Sequence, residues 1–375
     1  MDVCAEFPLD PGIVYLNHAA VAPWPQRTAE AVQRFAEENA QWGARGYRHW
    51  LGVEQQLREQ LRLLLNAPHS EDIALLKNTS EGLSVVAHGL DWRDGDNIVT
   101  SDEEFPSNRI VWESLQVRGV TLREVSLRRA DSEATLAEAM DKRTRLLAVS
   151  SVQYASGRRL DLARLGTACR ARGALFCIDA IQSLGALPLD VQAVGADFLA
   201  ADGHKWLLGP EGLAVFWCRA ELREQLQLHQ YGWHMVEHAG DYDRRDWQPA
   251  RSARRFECGS PNMVGIHALH ASLSLLLEVG MENVARRVLD NAGFLLEALR
   301  RLPQLEVVTP QAEAQRAGIV TFRRRQADTG ALWQHLSGQG VICATRGGGI
   351  RFSPHFYNHQ DDLKMVVELI AEYRS

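Results

Sequence analysis

Residues 174–217 read ALFCIDAIQSLGALPLDVQAVGADFLAADGHKWLLGPEGLAVFW, and three short apolar runs within them restrict what the chain can fold into. The first run, 174–178, ends in Asp179. The second, 198–201, ends in Asp202-Gly203-His204-Lys205. The third, 213–217, follows the turn Gly209-Pro210-Glu211-Gly212. Runs this short, punctuated by Gly and Pro, suit buried strands better than helices. The same grammar extends upstream. Residues 73–77 form an apolar run closed by Asn78-Thr79-Ser80, natural N-cap residues for the helical pattern that begins at Leu83. Residues 97–101 and 146–152 are further strands, and Asp161 opens a helix that Gly173 ends. Strand and helix alternating over 73–217 predict an α/β fold with a largely parallel sheet. In such sheets, ligands bind at the carboxyl ends of the strands. Two of these ends carry ionisable side chains, Asp179 and Lys205.

A lysine amine is a poor nucleophile until it is desolvated or joined to a carbonyl as a Schiff base. Pyridoxal 5'-phosphate (PLP) sites combine such a lysine with an aspartate on the pyridinium nitrogen. Asp179 can hold that nitrogen protonated, and Gln182, three positions on, can donate to the phenolate oxygen. Lys205 follows Gln182 by 23 positions. A lone strand-end Asp or Lys is usually a solvated loop charge. The combined pattern D-x-x-Q then D-G-H-K-W argues against that bland reading.

This pattern resembles the fold-type I PLP enzymes of the class V aminotransferase and cysteine desulfurase superfamily. The resemblance implies a large domain with a mostly parallel seven-stranded sheet flanked by helices, and a small C-terminal α/β domain. It makes Lys205 the Schiff-base lysine, Asp179 the partner of the ring nitrogen, Gln182 a contact of the ring oxygen and His204 a phosphate contact. Thr79 and Ser80 lie where the family holds the phosphate. Phe105, in the E-F-P-S-N variant of a motif at 104–108, would stack on the cofactor. Phe105 cannot move a proton, whereas desulfurase-like members have a histidine there. Asp202 occupies a position often filled by a phosphate-binding serine, and a carboxylate beside a phosphate dianion is electrostatically unfavourable. Hydrogen bonding to amides of its own turn is the alternative. Residues 255–262, RFECGSPN, resemble a segment that reaches into a partner subunit, with Ser260 donating to the neighbour's phosphate. A homodimer with composite sites is therefore expected. Arg351 falls at the family's substrate-carboxylate arginine, and a planar guanidinium suits that bidentate role. Arg346 and His355 are weaker candidates. Asn17 and His18 either touch substrate or tie down the N-terminal arm. No metal site is expected.

The domain division is expected at 1–263 and 264–375, with the N-terminal arm packing on the smaller domain. A net charge of −6 gives no basic footprint for nucleic acid. No apolar run approaches the roughly 20 residues that span a bilayer. The acidic start MDVCAEF lacks a signal-peptide pattern, and the six cysteines are scattered without C-x-x-C spacing, as expected of a reduced cytoplasmic protein. Residues 45–50, RGYRHW, read as a loop able to line the substrate entrance.

A desulfurase needs a mobile thiolate in the loop before Arg351, and glycines stand there instead. Cys343 is the nearest cysteine, expected in a buried strand. The residue content therefore favours transamination of a small amino acid. Cysteine desulfurase or selenocysteine lyase activity, isopenicillin-N-epimerase-like racemisation, and a non-catalytic PLP-binding regulatory dimer are the alternatives.

Overall fold

The computed structural model describes residues 3–129 and 131–373. An N-terminal arm carries a short strand, β1 (Val14–Tyr15), and leads into two helices, α1 (Gln26–Trp42) and α2 (Tyr47–Leu65). The apolar runs then become strands β2 (Ile73–Leu76), β3 (Asn97–Ser101), β4 (Thr121–Val125), β5 (Thr144–Ser150), β6 (Leu175–Asp179), β7 (Phe198–Asp202) and β8 (Ala214–Cys218). Between them lie α3 (Thr79–Gly89), α4 (Ser107–Glu113), α5 (Ser132–Ala139) and α6 (Leu162–Arg172), with α7 (Ala220–Arg223) after the last strand. The sheet order is β2-β8-β7-β6-β5-β3-β4. β8 is antiparallel to both of its neighbours, and all other pairs are parallel. Four strands of this sheet, β2, β3, β7 and β8, are buried along their whole length, and β6 is buried after its first residue, which is why they read as continuous apolar runs rather than alternating ones.

The local signals act as expected. Asn78 accepts from the Glu81 amide at 2.8 Å, Asp161 accepts from the Arg164 amide at 3.1 Å, and Gly173 ends α6 in the left-handed region at φ 69°.

After an irregular stretch, α8 (Met263–Val279) and α9 (Met281–Arg300) follow, then β9 (Leu305–Val307), β10 (Val320–Arg324), α10 (Thr329–Gly338), β11 (Val341–Ile342), β12 (Ala344–Arg346), β13 (Gly349–Phe352) and α11 (Gln360–Glu372). A four-stranded antiparallel sheet, β12-β13-β10-β9, is covered by these last helices, and β1 pairs in parallel with β11. The division expected at 263/264 falls at the start of α8, whose apolar side chains belong to the core of the large sheet. The change of core occurs inside α9. Its Val284 and Val288 join the large core, and its Leu295 and Leu299 join the small one.

Residues 45–50 are not a loop. Arg45 lies in a single 3-10 turn, and Tyr47 to Trp50 start α2. Trp50 packs on Phe35, with ring centroids 4.9 Å apart, and donates to Glu38. The irregular 231–262 stretch is anchored by Glu257, which accepts from Arg58 at 2.7 and 2.8 Å and from the Leu75 amide at 2.8 Å. Glu54, His234 and Glu257 converge there, and the single Arg58 guanidinium pairs with both carboxylates.

Gly185 lies against the turn that follows Lys205. Its φ is +92°, and an added Cβ would sit 2.3 Å from the Trp206 carbonyl oxygen. Gly185→Ala should therefore destabilise the fold by about 2 kcal/mol or more. Urea unfolding measures this, and a change below about 0.5 kcal/mol would mean that the two turns are not packed back to back.

Candidate active site

Parallel strands place the site residues side by side at one edge of the large sheet. In register, Ser150 of β5 faces Asp179 of β6, and Asp179 faces Ala200 of β7, two residues before Asp202. β3 ends at Ser101 and delivers Glu104 and Phe105 to the same edge. Glu104 is buried and accepts from the Ser101, Ser150, Gln153 and Asn108 side chains and from the Ser150 amide, at 2.5–3.0 Å. It thereby fixes the loops after β3 and β5 around Phe105. Nothing in the local pattern reveals this role; the only signal is an acid directly before the aromatic residue of E-F-P-S-N.

The Lys205 amine lies 5.7 Å from the centroid of the Phe105 ring, and Tyr154 meets that ring edge-on at 5.2 Å. Among the described residues, the Lys205 amine has no hydrogen bond and no ion pair. Burial pushes its pKa down to about 8, against the attraction of Asp179, with Arg351 and Arg346 adding to the depression. Asp179 accepts from the Ile181 amide at 3.0 Å. Burial pushes its carboxyl up to about 7; that amide opposes the shift, and the Glu104 charge reinforces it.

The turn bearing Lys205 is bolted through its carbonyls. His204 O accepts from the Ala22 amide, Trp206 O from His355 Nε2, Leu208 O from Ser272 Oγ and Gly209 O from Trp24 Nε1, at 2.8–3.2 Å. Leu208 itself sits at φ +61°, an uncommon backbone conformation for a buried leucine. His355 Nδ1 accepts from the Phe356 amide, so Nε2 carries the proton, and burial holds the ring down at about 4.

His18 is fully buried. Its Nδ1 faces Ser353 O at 2.8 Å and its Nε2 faces Tyr357 Oη at 2.7 Å, so both nitrogens are committed to holding the arm. Asn17 Oδ1 is buried without a partner. Gln182 donates to Ala19 O at 3.0 Å and accepts from Trp206 Nε1 at 2.9 Å, leaving one amide hydrogen. Thr79 donates through both its amide (3.1 Å) and its hydroxyl (2.9 Å) to Asp202 Oδ2. For Asp202, a candidate cofactor-binding residue, the alternative of bonding to its own turn gives way to a bond 123 positions away. Ser80 Oγ donates to Ser107 Oγ, and His204 Nδ1 is buried without a hydrogen bond, 3.8 Å from Asp202 Oδ1.

Arg351, on β13, is 1% exposed. It donates to Tyr154 O at 2.8 Å, and its Nε has no partner. Burial, then the charge of Arg346, pushes its pKa down to about 10. Ser260 is separate from this group and lines a 270 Å³ cavity with Glu81, Gly212 and Cys258.

A buried carboxyl, an amine whose pKa burial lowers, an exposed aromatic ring beside it, an unpartnered His204 nitrogen and a guanidinium lacking an acid together fit PLP and an amino-acid carboxylate. The comparisons agree. The Aminotransferase class-V family matches residues 14–366, and the chain belongs to that family. It is an α/β PLP enzyme of fold type I, with pyridoxal 5'-phosphate as its cofactor. A probable cysteine desulfurase of Methanothermobacter thermautotrophicus is 30% identical over 99% of this chain and 97% of the relative. A cysteine desulfurase of Klebsiella pneumoniae is 32% identical over 89% and 83%. Among solved structures, the Escherichia coli cysteine desulfurase CsdA superposes with TM-score 0.87 at 26% identity, covering 98% and 96%. The cystine C–S lyase C-DES, in complex with its product cysteine persulfide, superposes with TM-score 0.90 at 25% identity, covering 98% and 100%.

In the cofactor-free protein, the neutral Lys205 amine should accumulate as pH rises through about 8. Acylation of Lys205 by an amine reagent, followed by peptide mass analysis, should show that midpoint. Asp179→Asn should lower it, because the carboxylate favours the ammonium. A midpoint near the ordinary lysine value of about 10.4 would contradict the buried-amine geometry.

Proposed function

We propose that this enzyme cleaves the carbon–sulfur bond of a small sulfur-containing amino acid by elimination, releasing the sulfur with the leaving group. One observation carries the reading: where a desulfurase needs a mobile thiol, the turn between β12 and β13 is Gly347-Gly348, and Cys343 is buried in the small-domain core. Burial pushes the Cys343 thiol up to about 12, so it is not a thiolate at neutral pH. Cys169, Cys177 and Cys218 are also buried, and Cys258 is half-buried with its thiol on Gln230. The named relatives are desulfurases and a C–S lyase, which favours sulfur chemistry over the transamination that residue content alone suggested.

When bound, PLP supplies a sink for the electron pair left at the substrate Cα. Lys205 would anchor it and then move the Cα proton through its Nζ. Asp179 would hold the proton on the ring nitrogen, with Phe105 against the ring face. Thr79, Ser80, His204 and, across a homodimer interface, Ser260 would surround the phosphate. Gln182 would offer its remaining amide hydrogen, and Arg351 would clamp the substrate carboxylate, with Asn17 nearby. The oligomer is proposed as a cytoplasmic homodimer.

The products separate the readings. Thiol-borne desulfurisation of cysteine ends in alanine, whereas elimination ends in a three-carbon keto acid and ammonia. With L-cystine or L-cysteine and no added keto acid, keto acid should appear in step with released sulfur. Arg351→Lys should weaken apparent substrate affinity by about 1.5–3 kcal/mol through loss of the fork. Alanine as the product, or amino-group exchange with an added keto acid and no sulfur release, would overturn the proposal.

A further inference from the structure

The N-terminus of α3 offers its donors to an anion, and an anion of the chain's own already holds some of them. Asp202 Oδ2 takes both the amide and the hydroxyl of Thr79, at 3.1 and 2.9 Å. Asn78 takes the Glu81 amide as the N-cap, and Glu81 reaches back to the Lys77 amide at 2.6 Å. Asp202 is buried, and its other oxygen faces His204 Nδ1 at 3.8 Å. The charged groups around it are Lys205, Asp179 and, beyond His204, Glu211. A phosphate dianion placed at this helix end meets a fixed carboxylate that competes for the same two donors and repels it at short range.

We propose that Asp202 is a built-in competitor for the cofactor phosphate, holding the Thr79 donors when PLP is away and weakening its retention when PLP is bound. The carboxylate thus trades cofactor affinity for order in the cofactor-free site. It is a positioning residue acting through Thr79. The proposal rests on the phosphate lying at α3.

The cofactor-free protein, prepared by dialysis, is titrated with PLP and with pyridoxal, which lacks the phosphate, and bound ligand is counted by equilibrium dialysis. Asp202→Asn, which keeps the shape and removes the charge, should bind PLP about tenfold tighter or more and leave pyridoxal binding unchanged. The same variant without cofactor should melt at least about 2 °C lower, since the helix end loses its anion. Opposite movement of the two readouts is the signature of competition. PLP binding that is unchanged or weaker, with or without a change in pyridoxal binding, would overturn the proposal. If Asp202→Asn fails to fold, Asp202→Ser is read by the same PLP-to-pyridoxal ratio. If the phosphate does not lie at α3, Thr79→Val leaves that ratio unchanged in the parent, which separates failure of the phosphate placement from failure of competition.

Discussion

A lysine amine held in a cleft without a bonded acid is the constraint on which the site depends. An ammonium loses hydration there, and no hydrogen-bonded carboxylate repays it. The peptide around Lys205 is anchored on several sides. Its carbonyls are taken by the N-terminal arm through Ala22 and Trp24, by α8 through Ser272, and by the C-terminal region through His355. The strained Leu208 is tolerated because these contacts over-determine it. The arm in turn is fixed by His18, whose neutral ring links Ser353 to Tyr357.

Charge placement around that lysine follows from the parallel sheet. Adjacent strand ends crowd Asp179 and Asp202 with Glu104; burial raises the Asp179 carboxyl, and the charges of Glu104 and Asp202 reinforce the shift. Glu104 is held by a full set of donors, and the raised Asp179 carboxyl is the group suited to sharing a proton with a ring nitrogen. Arg351 comes from the other sheet and reaches across to Tyr154 O, linking the loop after β5 to the small domain. The guanidinium proposed to clamp the substrate carboxylate therefore also makes a contact between the two sheets' regions.

Much of this was legible in the sequence, for a physical reason. Strands buried on both faces read as unbroken apolar runs, and caps such as Asn78 and Asp161 act on amides three residues away. Asp179, Lys205 and Arg351 were readable because their motif places them at strand ends or on a strand. Long-range partners were not. Asp202 bonds Thr79 across 123 positions, and Glu104 gathers donors from 46 and 49 positions away. His18 reads as a candidate ligand until Ser353 and Tyr357 close over it. Residues 45–50 read as a loop because their mixed basic and aromatic content hides the packing of Trp50 on Phe35. The preference for transamination came from residue types alone, which show that a thiol is missing without showing that sulfur can leave unaided.

The claim that sulfur leaves without passing through a cysteine of the protein is tested most directly by intact-protein mass spectrometry during turnover of L-cysteine and L-cystine. The account predicts an unchanged polypeptide mass while sulfur product accumulates. A thiol-labile gain of one sulfur atom, mapped to Cys343 or to Cys258, would contradict it.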